Sequence, residues 1–255
     1  MVVRAHNRSS ALRLVAAPLR RYARKRKATL RHGSARGLRF DSATSAIGYG
    51  FGNYELETQR AIAGHLEAGC VMYDIGANVG FFSLIGARIV GVEGRVYAFE
   101  PEAGNAASLR RNASLNDLDQ IEVIEKAVWS ESGTGALIVP SSGSEFSLLS
   151  QVAVEPSPDA KEVELVAIDD LVTAGDLELP SLVKIDAQGA EAEILRGMAD
   201  TLRRARPVVI CELHETGPEV LEVLTGLGYE ASAMDADDAA TASPDDAGRL
   251  VARAR

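Results

Sequence analysis

The sequence predicts an α/β protein in which a mostly parallel sheet is flanked by helices, and three observations lead there. Strand-length apolar runs alternate with helix-length segments from Val71 to Leu213, which sets strands side by side through helical crossovers of one hand. One of these runs, Val71–Ile75, leads straight into a turn holding Gly76, Asn78 and Gly80 before the chain becomes apolar again. Two successive strands, finally, carry an acid near the point where they end, Asp74 and Glu100.

The elements follow in order. Residues 1–49 read as a basic extension, with twelve Lys and Arg and no acid before Asp41. The remainder therefore carries 27 − 12 = 15 bases against 36 acids, or −21 within a formal net charge of −9. Such a split marks a segment that meets an anionic surface. "ALRLVAAPLRRYARKRKATLRHG" reads as one or two short basic helices interrupted near Pro18, serving as a cover over the domain or as a peripheral contact with anionic membrane. "GLRFDSATSAIGYGFGNYE" is Gly-rich and aromatic, an ordered loop more than a linker.

The main domain is expected over residues 50–235, opening with a helix in "ELETQRAIAGHLEAG". Its strands are Val71–Ile75, Arg95–Phe99, Ile121–Ala127, Leu182–Asp186 and Val208–Leu213, and the helices between them begin near Val79, Ala103, Gly189 and Pro218. From Gly135 to Leu171 short β-like runs and polar turns replace the rhythm and read as antiparallel strands beside the sheet. The helix after Asp186 reads as one element, with Glu191 and Glu193 early, Arg203, Arg204 and Arg206 late, and Ile194, Leu195, Met198 and Leu202 on one face. That charge order suits the helix dipole, which gives Glu191 a structural explanation. Residues 236–255, acidic and Ala-rich and then basic, read as a loosely ordered tail.

Composition narrows the class. No run approaches the roughly 18 uncharged apolar residues of a membrane-spanning helix, and Leu14–Ala17 is too short for a signal-peptide core, so a cytoplasmic protein is expected. Cys70 and Cys211 sit in apolar strand contexts and read as buried, reduced thiols without zinc-like spacing. No basic, aromatic groove argues for nucleic acid.

A strand ending in Asp-x-Gly-x-Asn-x-Gly can cradle a nucleotide-like ligand, because glycine lets backbone approach it closely and N–H groups at a helix start can face an anion. Dinucleotide enzymes favour G-x-G-x-x-G for a pyrophosphate. Here Asn78 takes the place of the central glycine, and Asp74 puts a carboxylate at the strand tip. That carboxylate would repel a pyrophosphate and attract the ammonium of S-adenosylmethionine. Glu100 at the next tip can accept hydrogen bonds from two ribose hydroxyls in either cofactor class.

"YDIGANVGFFSLIGA", "GRVYAFEPEAGNAASLRRNASLN", "KIDAQGAEAEILRGM" and "RPVVICELHE" resemble the FkbM family of S-adenosylmethionine-dependent methyltransferases, and "GNYELET" resembles the Gly-x-Tyr-Glu element that precedes the glycine turn there. The likeness runs from about Gly50 to Tyr229. It implies a class I methyltransferase, Rossmann-like fold with a seven-stranded sheet, and O-methylation of hydroxyls on macrolides, sugars or glycolipid-type products. Carried onto this chain, it implies that Tyr54, Glu55, Asp74, Gly76, Asn78, Gly80, Phe81, Glu100, Lys126, Ala127 and Asp186 bind S-adenosyl-L-methionine, with Lys126 and Ala127 near the adenine. One departure matters: the family usually reads Lys-Ile-Asp-Val-Glu-Gly, whereas this chain has Gln188 before Gly189. Gln keeps a hydrogen-bonding carbonyl and loses charge and proton affinity, so Gln188 is expected to position a loop.

Methyl transfer to a hydroxyl needs alignment of oxygen, carbon and sulfur and removal of the hydroxyl proton. Beyond the strand ends, where ligands sit in open α/β sheets, the candidates are Asp186, His214 and Lys184. Asp186 and His214 are the bases considered, His214 because it titrates near neutrality. Lys184 and Asp186 also read as an ion pair. No metal is expected. The acceptor is a small molecule or glycan. Two other readings compete: a cofactor- or membrane-binding scaffold without activity, and a nicotinamide-dependent oxidoreductase on the same sheet.

Overall fold

The computed structural model describes residues 27–41, 49, 52–138, 151–153, 160–234 and 248–255. Helices α1 (Leu56–His65), α2 (Phe81–Val90), α3 (Ala103–Leu115) and α7 (Gly217–Gly226) flank a central sheet. Its seven strands run in the order β12 (Tyr229–Ala233), β13 (Arg249–Ala254), β11 (Val208–Glu212), β10 (Leu182–Ile185), β3 (Val71–Ile75), β4 (Arg95–Phe99) and β5 (Ile121–Ile124). From β11 to β5 every neighbouring pair is parallel. Strand β13 is the exception and pairs antiparallel with both β11 and β12. All five residues of β3 are buried, as expected of a strand covered on both faces.

The extra strands form a second sheet, β6 (Ala127–Val128), β9 (Ala160–Val166), β7 (Gly133–Ile138) and β8 (Gln151–Ala153), with β7 antiparallel to both its neighbours. The strand expected over Ile121–Ala127 is divided between the two sheets. Glu125 pairs with Arg110 and Lys126 with Glu164, so the chain changes sheets at two adjacent charges that point to different partners.

Three expectations need correction. The helix after Asp186 is two helices, α5 (Glu191–Arg196) and α6 (Ala199–Ala205). A Cβ at Gly197 would come within 2.9 Å of the Trp129 carbonyl carbon, so the chain can pass there only as glycine. Asp169, on α4 (Ile168–Ala174), then opens α6 by accepting from the N–H groups of Asp200 and Thr201. The tail is likewise not loose at its end: in β13, Leu250 and Ala252 are fully buried in the core. Residues 236–247 lie outside the described part.

The third correction concerns the extension. Residues 27–41 form a hairpin of β1 (Lys27–Thr29) and β2 (Arg39–Asp41), not helix. Leu30, Leu38 and Phe40 join the core cluster of α2. The hairpin is fastened by α3, where Asn112 and Asn116 accept from the N–H groups of Asp41 and Arg39 at 2.9 and 2.7 Å. These asparagines are four apart and so share one helix face. The expected basic helices before Lys27 lie outside the described residues, and no helix among those described is long and apolar enough to cross a membrane.

Candidate active site

Beyond the carboxyl ends of β3, β4 and β10 lies a cleft of about 550 Å³, open on one side. Gly76, Asn78, Glu100, Lys126, Ala127, Asp186 and Gln188 all line it.

The glycine turn is built for its neighbours first. Gly76 has φ 74°, and a Cβ there would approach the Asp186 carbonyl carbon to 2.8 Å. Gly80 likewise yields to a side chain, since its Cβ would stand 2.6 Å from Leu109 Cγ. The expected close approach of glycine to ligand is thus a close approach to β10 and α3. Every N–H from Gly76 to Gly80 is also engaged within the protein. Gly76 and Ala77 both donate to the Phe99 carbonyl, and Gly80 donates to Ala77. Asn78 donates to Glu100 Oε2 at 2.8 Å, and Val79 donates to the Asn78 side chain. An anion would find no free backbone N–H in this turn.

Glu100 is 3% exposed. It accepts from the N–H groups of Asn78 and Glu102 and from Asn105 Nδ2. Burial nevertheless lifts its carboxyl to about 7, because the three donors offset only part of the desolvation. A carboxylate has about four acceptor positions, so one remains for a ligand hydroxyl where two had been expected.

Several expected cofactor contacts sit elsewhere. Asp74 is fully buried, with Ser83 donating to Oδ2 at 2.5 Å and the Lys184 ammonium 3.4 Å from Oδ1. Phe81 is a core residue, stacked among Phe40, Tyr49, Tyr54 and Phe82. Tyr54 belongs to the same aromatic cluster. Glu55 pairs with Arg249 of β13 at 3.2 Å. None of the four lines the cleft. Lys184, considered for catalysis, is buried between Asp74 and Asp186, 3.5 Å from the latter, and donates to the Gly76 carbonyl. Burial opposes its charge, but Asp74 and then Asp186 raise its pKa well above the usual lysine value. It stays an ammonium and ties β3 to β10.

A polar chain leads from there through Gln188 to His214 and Glu191, neither of which lines the cleft. Gln188, in the left-handed region at φ 51°, donates Nε2 to Asp186 Oδ1 at 3.2 Å, and the same nitrogen is 2.8 Å from His214 Nε2. The other ring nitrogen of His214 is 2.8 Å from Glu191 Oε1. Glu191 is fully buried and also accepts from Gly189 N–H and Thr216 Oγ1. Burial works against its charge, yet these hydrogen bonds hold its carboxyl below the usual range. Glu191 was legible in the sequence only as a helix-dipole residue, since its partners lie 23 and 25 residues away.

The family model described as the Methyltransferase FkbM domain matches residues 74–231, more than half of the chain. The chain is 28% identical over 160 residues to the hexuronic acid methyltransferase AglP of Haloferax volcanii, a match covering 63% of this chain and 62% of that protein's length. It is 25% identical over 207 residues to the 31-O-demethyl-FK506 methyltransferase FkbM of Streptomyces tacrolimicus, covering 69% and 79% of the two chains. Among solved structures, an FkbM methyltransferase from Methylobacillus flagellatus superposes with a TM-score of 0.51 at 15% identity over 95% of this chain and 60% of that one, a likeness of fold.

Proposed function

The chain belongs to the FkbM methyltransferase family, and from that premise we propose that it uses S-adenosyl-L-methionine to methylate a hydroxyl on a sugar, glycolipid or polyketide-type small molecule. The observation that carries this reading is the glycine turn with its five N–H groups, Gly76 to Gly80, all engaged within the protein, beside a cleft lined by the carboxyls of Glu100 and Asp186. A pyrophosphate would meet two carboxyls and no free N–H of the glycine turn. A cationic nucleoside with ribose hydroxyls meets acceptors. That contrast favours S-adenosylmethionine over a nicotinamide dinucleotide.

In this reading Glu100 takes a ribose hydroxyl at its remaining acceptor position, and Lys126 and Ala127 border the base. When bound, S-adenosylmethionine supplies a sulfonium methyl group whose C–S electron pair leaves with sulfur. Asp186 and Gln188 line the cleft and His214 stands against Gln188, 2.8 Å from its amide nitrogen; in this reading the three orient the acceptor and receive its proton. The names of the relatives, one a hexuronic acid methyltransferase and one a 31-O-demethyl-FK506 methyltransferase, support a hydroxylated acceptor of this kind.

Isothermal titration with S-adenosylhomocysteine and with NADH tests the cofactor. The homocysteine compound is expected to bind and NADH to give no heat. Glu100→Ala should weaken the former by about 1.5–3 kcal/mol, the scale of a lost hydrogen bond to a charged group. Binding of NADH alone would overturn the assignment. Transfer of radiolabelled methyl groups to the small-molecule and glycan fractions of a cell extract then tests the chemistry.

A further inference from the structure

The contacts around His214 settle which of its two nitrogens holds the proton. Glu191 Oε1 can only accept, and it lies 2.8 Å from Nδ1, so Nδ1 must carry hydrogen. On the other side, the end of the Gln188 amide facing Asp186 Oδ1 at 3.2 Å must be its NH₂, because a carbonyl would set oxygen against carboxylate oxygen. That same NH₂ lies 2.8 Å from His214 Nε2, so Nε2 must be the acceptor. Two contacts at opposite ends of the ring, reaching different carboxylates, demand the same neutral form.

We propose that Glu191 is a positioning residue which, with the Gln188 amide, holds His214 as a base whose Nε2 electron pair is turned toward Gln188 on the cleft wall, so that His214 and not Asp186 receives the hydroxyl proton. This deepens the methyl-transfer reading and takes the identity of the reaction from it. Asp186 is left to hold its neighbours, its Oδ1 accepting from Gln188 and its Oδ2 paired with the Lys184 ammonium at 3.5 Å. The His214 ring is 24% exposed while the Glu191 side chain is fully buried, which suits a group that meets substrate and one that orients it.

During the reaction the acceptor hydroxyl displaces the Gln188 NH₂ as donor to Nε2. Its proton passes to Nε2, and the pair it leaves on oxygen forms the new bond to carbon. The carboxylates facing the resulting imidazolium are Glu191 from α5, Asp186 after β10 and Glu212 at the end of β11, the last two at 3.9 Å from Nε2, with the Lys184 ammonium behind Asp186. Burial alone would lower the His214 pKa, but Glu191 first and then Asp186 and Glu212 raise it above the ordinary value. A glutamate at 188, the residue of the family pattern, would add a carboxylate against Nε2 and lock the ring as imidazolium. Gln188 leaves it able to lose its proton and act.

Long-range ¹H–¹⁵N spectra of the imidazole groups, recorded from pH 5 to 10 on the full chain without cofactor or acceptor, test this directly. The His214 signals are assigned by their loss in His214→Asn. The expected result is an imidazolium at the acid end that gives way, as pH rises, to a neutral Nδ1–H form with unprotonated Nε2. Glu191→Gln should lower the proton affinity of His214 about tenfold or more, given that an opposite charge within about 4–6 Å is worth one to three pKa units, while the Gln188 NH₂ still faces Nε2. Gln188→Glu, at a partly exposed position that spares the core, should raise that affinity about tenfold or more by the same reasoning. A wild-type Nε2–H form, or a proton affinity unmoved by Gln188→Glu, overturns the proposal. Because neither readout involves the cofactor, failure here stays distinct from failure to bind S-adenosylhomocysteine.

Discussion

Replacing Gly76 with alanine should cost the fold far more than its size implies. The residue sits at φ 74°, where a Cβ collides with the following carbonyl oxygen at a cost of roughly 1–2 kcal/mol. The new methyl would also press on the Asp186 carbonyl, coming within 2.8 Å of its carbon. That group cannot swing aside, because the Asp186 N–H is bonded to the Ile75 carbonyl at 3.0 Å. Overpacking of this kind costs about 1–3 kcal/mol, for a total of about 2–5 kcal/mol against the 5–15 kcal/mol typical of a domain. With a urea slope of about 2 kcal/mol/M the midpoint should fall by roughly 1–2.5 M. Trp129 is the single tryptophan, so its fluorescence reports the transition. Gly69 is the control: it has φ 82° with nothing within 4 Å of its would-be Cβ, so Gly69→Ala pays the backbone cost alone, about 1–2 kcal/mol. Equal losses at the two positions would refute the argument that Asp186 is what Gly76 avoids.

Three further outcomes follow from the same structure. With Glu100 lifted to about 7 by burial from an ordinary value of 4.5, the native state keeps a proton that the unfolded chain has released. Stability should therefore fall as pH rises from about 4.5 to 7, by roughly 3 kcal/mol from this residue. Glu100→Gln should flatten that part of the urea-midpoint profile, and parallel profiles would remove the effect. Leu250→Asp places an unpaired charge at a fully buried position of β13 and should abolish the cooperative transition or cost at least about 3 kcal/mol; a change under 1 kcal/mol would show that β13 contributes little. The basic segment before Lys27 is proposed to contact anionic membrane, and a chain beginning at Lys27, which keeps the β1–β2 hairpin, should lose flotation with anionic liposomes while binding S-adenosylhomocysteine unchanged. Equal flotation of both chains would end that idea.

What could be read from the sequence was local. The turn at Gly76 to Gly80, the acid at Glu100 and the alternation of strands and helices need only neighbours within a few residues to be recognised. The break between α5 and α6 is different, since it is set by Trp129 and Asp169, distant positions that meet Gly197 and Thr201 only after folding. Phe81 shows the converse: it stands inside the motif, yet its ring is claimed by Phe40 and Tyr49 from the N-terminal segment. The pairing of His214 with Glu191 was out of reach for the same reason. Each residue had a sufficient local reading, as a strand end and as a helix-dipole acid. In β13 the period of two was present, with Leu250 and Ala252 inward, but six residues rich in Ala and Arg carry that signal faintly.

Strand β13 also bears on how the sheet can be completed. Strands β11 and β12 are joined through α7 and lie on either side of β13, so while β13 is away they face each other across a vacant lane about 9.5 Å wide, two interstrand spacings. Both borders of that lane are rows of unsatisfied backbone donors and acceptors, the kind of edge that recruits strands from other chains. Filling it takes long-range pairings such as Val209 with Ala252 and Glu212 with Arg249, whose arrival depends on residues distant in sequence. The arrival also brings Arg249 to Glu55 at 3.2 Å, latching the entry of α1 at the same moment. With residues 249–254 displaced, those two edges would be open to strands of other chains, and an added peptide with the sequence RLVARA would compete for the lane.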